Sequence, residues 1–203
     1  VVLPLKLNYF GSEIFGVYQL AVSIVLYLSR TDFGIGTTVR KYVPSHVSEK
    51  QYSGLGSLLG FALFFNFFLG LTIAAILIGI GQFSHYIFSL SGENFQIFKT
   101  LAWILALRIF FDRFLAVFTA FIEGMQRHYI VNGFNISISI IDIILVLYII
   151  HTKQTIVKYA LLKAAVQIIS KTGIMIISKW SFNFFQINRF KYRQIKKYLG
   201  FSW

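Results

Sequence analysis

The stretch YFGSEIFGVYQLAVSIVLYLSRTDFGIGTTVRKYVPSHV, residues 9–47, decides how the chain is read. Its apolar run over 14–29 is long enough to enter a bilayer. The run then meets Arg30, Asp32, two glycines and the basic pair Arg40 and Lys41, the polar ending of a membrane helix. The same alternation of long apolar segments and sparse ionisable residues continues through all 203 residues. Hydrophobic residues make up 57% and charged residues only 13%, with a mean hydropathy of +0.71, a balance that excludes an ordinary soluble domain.

A formal charge of +12 invites a nucleic-acid reading, but the bases fall mainly between apolar runs, as membrane proteins distribute them. No nucleic-acid partner is expected. There is no cysteine, and His46, His85, His128 and His151 show no paired ligand spacing, so neither a metal site nor a cofactor is expected. The absence of a leader before VVLPLKL and the apolar run starting in YLGFSW read as those of a fragment.

The pattern predicts an all-α, polytopic transmembrane helix bundle of about six spanning helices, near 1–10, 13–38, 55–88, 95–123, 130–150 and 156–180. Gly11 and Ser12 close the first helix, and Pro44 is expected to break the chain before a polar loop. Residues 55–83 carry no charge at all, with Gly56 and Gly60 spaced for close helix approach. Residues 181–197 interleave aromatics with bases, as in an amphipathic connector on an anionic surface, and 198–203 begin a further, truncated helix. Sorting the bases puts Arg40, Lys41, Lys50, Arg127, Lys179 and the connector on one side, read as cytoplasmic, and Lys6, Lys99, Lys153 and Lys158 on the other.

Five bases fall inside the predicted spans: Arg30, Arg108, Arg113, Lys163 and Lys171. An unpaired base at mid-bilayer costs about 2.5–3.5 kcal/mol on insertion scales, so each is expected to face protein or water. At 100° per residue the polar positions gather into stripes: Gln19, Ser23, Tyr27 and Arg30; Arg108, Asp112, Thr119 and Glu123; Asn132, Asn135, Ser139 and Asp142; Tyr159, Lys163, Gln167 and Lys171. Pairing in a closed bundle is the plainer account of Arg108 with Asp112, which stand at i, i+4. The sixth helix has no acid of its own, so Lys163 and Lys171 point to a ligand. The five bases outnumber Asp32, Asp112, Glu123 and Asp142, which suits the enclosed face to an anion such as phosphate or pyrophosphate.

The opening stretch resembles the start of the polysaccharide-biosynthesis flippases, the O-antigen and repeat-unit exporters of the multidrug/oligosaccharidyl-lipid/polysaccharide exporter superfamily. Phe10, Gly11, Glu13, Phe15 and Gly16 match the turn after the family's first helix. Asp32, Phe33, Gly34, Ile35, Gly36 and Arg40 match the close of its second, and FIEGMQRHYIVN over 121–132 resembles the end of its fourth. The resemblance implies the N-terminal half of a two-lobe exporter in the bacterial cytoplasmic membrane, a transporter and not an enzyme. It would flip undecaprenyl-pyrophosphate-linked oligosaccharides by alternating access, with membrane lipids and other polysaccharide-assembly proteins as partners. On that reading Arg30, Arg108, Arg113, Lys163 and Lys171 contact the headgroup. Asp32, Asp112, Glu123 and Asp142 are cavity acids, of which Asp142 and Glu123 are candidates for ion coupling. The alternatives are a drug or cation antiporter of the same superfamily, a membrane enzyme acting on polyprenyl-linked sugars, and a non-transporting scaffold.

Overall fold

The computed structural model describes residues 2–30 and 33–181, and these form an all-α bundle. The order is α1 (Val2–Phe10), α2 (Ser12–Ser29), α3 (Ile35–Ser48), α4 (Tyr52–Gln82), α5 (Ser84–Phe88), α6 (Gly92–Gly124), α7 (His128–His151) and α8 (Ile156–Trp180). Four of these, α2, α4, α7 and α8, are long and apolar enough to cross a membrane. The expected connector over 181–197 and the start of a helix over 198–203 lie almost wholly outside the described residues.

α6 is the axis. Its 33 residues extend about 50 Å at the α-helical rise, enough to span a bilayer with room to spare. It also carries Glu93, Lys99, Arg108, Asp112, Arg113 and Glu123, more charge than a lipid-exposed helix supports. The fold resolves this by wrapping α6 in α2, α3, α4, α7 and α8. α4 runs antiparallel to it along its whole length, from Gly81 opposite Ala102, through Gly70 opposite Phe110, to a shared core of Leu59 and Ala62 with Phe118 and Phe121. The approach is closest at Gly81, where an added Cβ would lie 2.6 Å from that of Ala102, so only glycine fits. Gly56 is buried in the same helix.

The helix expected over 13–38 is two helices. The first ends at Ser29, capped by Arg30, and the second opens at Gly34, whose φ of 73° follows a positive φ of 49° at Phe33. The expected break at Pro44 is absent, because α3 continues through it to Ser48. Proline removes one amide, which leaves the Arg40 carbonyl without its intrahelical donor. That carbonyl is turned towards Gly124, 3.2 Å from where a Cβ would stand, so α3 rests directly on the last turn of α6.

The buried apolar side chains divide into two clusters. One gathers Phe15, Ala21, Val25, Leu77, Phe98, Leu105, Ile149 and Tyr159; the other gathers Ile35, Val39, Leu55, Leu59, Leu115, Phe121 and Ile174. On each helix the seam between them falls at the polar residues: Arg30 after α2, Asn66 on α4, Asp112 and Arg113 on α6, and Lys171 on α8. A helix bundle with a dry core at each end and a polar layer between them is the frame for the site.

Candidate functional site

The seam holds a cavity of about 330 Å³, lined by residues of α3, α4, α6 and α8 and by Ser29 and Arg30 at the end of α2. Among the described residues four bases reach its walls, Arg30, Arg40, Arg113 and Lys171, against one acid, Asp112. Asp112 Oδ1 and Lys171 Nζ pair at 3.3 Å. Arg113 donates through Nη2 to the carbonyl of Ser29, the last residue of α2. Carbonyls at a helix C-terminus lack intrahelical donors and carry the negative end of the helix dipole, so a guanidinium is well placed there. Arg40 Nε meets Glu123 Oε2 at 2.6 Å, which ties α3 to α6 at the edge of the cavity.

Two polar atoms of this cavity's wall residues are buried without a hydrogen-bond partner, Arg113 Nε and Thr119 Oγ1. A donor shielded from bulk water and left unmatched costs about 1–3 kcal/mol, more when charged, unless water or a ligand reaches it. Beside this cavity Arg108, Asp112, Gln167 and Lys171 enclose a void of about 10 Å³, near the lower limit for one water. Gln167 Oε1 is likewise buried and unmatched. The Arg108 and Asp112 ion pair expected from their spacing does not form among the described residues. Asp112 turns to Lys171 on the neighbouring helix instead.

A second polar cluster lies where α1, α7 and α8 meet. Tyr159 is completely buried, and its hydroxyl donates to Asp142 Oδ1 at 2.7 Å while accepting from Lys6 Nζ at 2.5 Å and Lys163 Nζ at 3.2 Å. Asp142 also pairs with Lys163 at 2.9 Å and with Lys6 at 3.3 Å. Lys6 lies over the Tyr159 ring, 4.6 Å from its centre, and Tyr18 packs edge-on against the same ring at 5.8 Å. Two lysines sharing one carboxylate leave the cluster one positive charge.

The residues singled out from the sequence therefore separate. Arg30, Arg113, Lys171 and Asp112 meet at the cavity, with Glu123 held at its edge and Arg108 behind it. Lys163 and Asp142 belong to the second cluster. Asp32 lies outside the described residues. The expectation that Lys163 and Lys171 lack acids is overturned, because neighbouring helices supply Asp142 and Asp112. Lys6, sorted with the rim bases from its position near a turn, is instead buried, 9% exposed. Its signal was available: it is the only charge in the first twelve residues, embedded in VVLPLKLNYF. Asn66 and Arg40 also line the cavity; Asn66, set in FALFFNFFLGL, carried the same signal, whereas Arg40 read as a rim base.

The stripes divide as well. That of α8 is turned inward, whereas Ser23 and Tyr27 on α2 and Asn132, Asn135 and Ser139 on α7 are exposed on the bundle surface. No cluster of metal-ligating side chains occurs among the described residues. No protein-family model, no curated protein and no solved structure matches the chain.

Proposed function

We propose that the chain is the N-terminal part of a membrane transporter that moves an anionic, lipid-linked substrate, an oligosaccharide on undecaprenyl pyrophosphate, across the bacterial cytoplasmic membrane by alternating access. The observation that carries the proposal is the cationic cavity at the seam of the bundle, with four bases to one acid and two buried polar atoms without a partner among the described residues. Guanidinium groups match the oxygens of a diphosphate in a forked geometry, and Arg113 is anchored through Nη2 in a way that fixes its plane. The exposed asparagines and serines of α7 add support. In a bilayer such a face belongs against water or another polar helix surface, as at the cleft of a two-lobe carrier.

In this mechanism the headgroup enters from the cytoplasmic side, the end bearing Arg40, Lys41, Lys50, Arg127 and Lys179. It exchanges Asp112 for phosphate at Lys171 and is released outside when the lobes rock. Asp142 and Glu123 remain the acids for ion coupling. A drug or cation antiporter would need unpaired acids in the cavity, but among the described residues Asp112 is the only acid lining it and it is paired. The test is genetic: cells lacking the gene should accumulate undecaprenyl-linked repeat units in the inner leaflet, and complementation should clear them. Unchanged lipid-linked intermediates in the deletion strain would refute the assignment.

A further inference from the structure

Three parts of the fold meet at the end of the bundle away from the cationic cavity: the joint of α1 and α2, the start of α6, and the turn from α7 to α8. They enclose a second cavity of about 490 Å³. The Tyr9 hydroxyl donates to the Gln154 carbonyl at 3.2 Å and Asn94 Nδ2 donates to Glu13 Oε1 at 2.5 Å, which ties α1 to the turn and α2 to α6. Glu93, in the first turn of α6, stands about 30 Å from Arg113 at the helical rise, so the two cavities are separate sites. Most polar groups of this wall already have protein partners. Gln154 donates to the Thr152 carbonyl and accepts from Lys158 Nζ, each at 3.0 Å, and Thr155 Oγ1 accepts from the Lys158 amide at 3.4 Å. Two charged groups do not. Glu93 and Lys153 both line the cavity and are exposed, and among the described residues neither side chain has an ion pair or hydrogen bond, with each other or with any other group. The remaining walls are apolar, with Ile97 and Ile150 about one helical turn deeper than the charges.

We infer that this cavity seats a zwitterionic phospholipid whose headgroup ends in a primary ammonium, with the ammonium on Glu93, the phosphate on Lys153 and an acyl chain along the apolar wall. The inference stands on the membrane character of the bundle and not on the function proposed above. Depth supports it first. α7 and α8 are both long and apolar enough to cross a membrane, so the turn between them, which carries Lys153, emerges at headgroup level. Ile97 and Ile150 lie towards the hydrocarbon, the same order in which a phospholipid arranges its own parts. Charge supports it next. One carboxylate and one ammonium that do not pair with each other complement the two charges of a zwitterion. An anionic headgroup satisfies Lys153 and is repelled by Glu93. A choline headgroup brings the positive charge but no N–H, so it forgoes charge-assisted hydrogen bonds to the Glu93 carboxylate. Selection among phospholipids therefore falls to Glu93, while Lys153 holds the phosphate that all of them share.

The full chain in detergent is titrated with dioleoyl phosphatidylethanolamine, phosphatidylcholine and phosphatidylglycerol, and bound lipid is counted by native mass spectrometry. Water reaches both charges, so the preference is modest: the ethanolamine lipid should be retained about three- to fivefold better than the other two. Glu93→Gln should abolish the preference over the choline lipid, and Lys153→Met should weaken the ethanolamine and choline lipids alike. Both side chains are exposed, so these variants should melt with the parent. Lys50→Met, at the other end of the bundle, should change neither retention nor preference. Glycerophosphoethanolamine, the same headgroup without acyl chains, should not displace the lipid even in excess. Equal retention of the three lipids by the parent, or an ethanolamine preference that survives Glu93→Gln, would overturn the assignment. Displacement by glycerophosphoethanolamine would make the cavity a site for a soluble zwitterion and overturn the lipid as its occupant.

Discussion

Replacing Asp142 by asparagine should unsettle the bundle far more than removing either lysine that it holds. Lys6, Asp142 and Lys163 are 11%, 20% and 25% exposed at their side chains, so solvent screens the cluster only partly. Both ammonium groups bond to the same Tyr159 hydroxyl, at 2.5 and 3.2 Å, and so stand close to one another. At a separation of about 5 Å and an effective dielectric of about 20, two unit charges repel by about 3 kcal/mol. The carboxylate offsets that repulsion, and Asp142→Asn removes it while raising the cluster from one net positive charge to two. A loss of about 2–4 kcal/mol follows, overlapping the lower end of the range for breaking a buried pair because the cluster is partly exposed. At about 2–4 °C per kcal/mol for a chain of this size, the melting temperature in detergent should fall by about 5–15 °C. Lys6→Met works in the opposite direction, because it leaves the neutral Lys163 and Asp142 pair and keeps an apolar stem of similar volume. It should cost about 1 kcal/mol or less. Melting of the two variants side by side decides the matter: equal losses, or an Asp142→Asn protein that melts with the parent, would refute the electrostatic account.

Other outcomes follow from the packing and from the cavity. Gly81→Ala places a Cβ 2.6 Å from that of Ala102 and should cost about 1–3 kcal/mol by overpacking, with Ala102→Gly in the same protein recovering most of it in thermal melts. Gly34→Ala, at a φ of 73°, should cost about 1–2 kcal/mol, read in the same assay, since no side chain is comfortable in that conformation. Asp112→Asn frees Lys171 and makes the cavity more positive. It should tighten pyrophosphate about three- to tenfold at low salt, and the gain should shrink as salt is added.

The sequence showed the helices better than it showed their partners. An uncharged run such as 55–83 has one stable fate in a bilayer, and α4 fulfils it from Tyr52 to Gln82. The limits of α8 were equally plain from the HTKQ turn before it, and in the structure Thr155 caps its first turn. The break between α2 and α3 was hidden because 14–29 and 35–48 share a helical period, while the positive φ at Phe33 and Gly34 that precedes α3 is a backbone property. Periodicity within a helix likewise grouped Arg108 with Asp112, yet pairing across helices depends on how the helices rotate against one another. Asp112 faces α8 and Asp142 faces α1 and α8, so both acids went to lysines distant in sequence. Among the described residues the cavity wall carries four bases and one acid.

Transport by the reconstituted full protein tests the central claim most directly. Proteoliposomes carrying a fluorescent oligosaccharide on polyprenyl diphosphate should flip it with the parent chain, and Arg113→Gln with Lys171→Gln should abolish flipping while the melting temperature shows the variant folded. Undiminished flipping by that folded double variant would contradict the account.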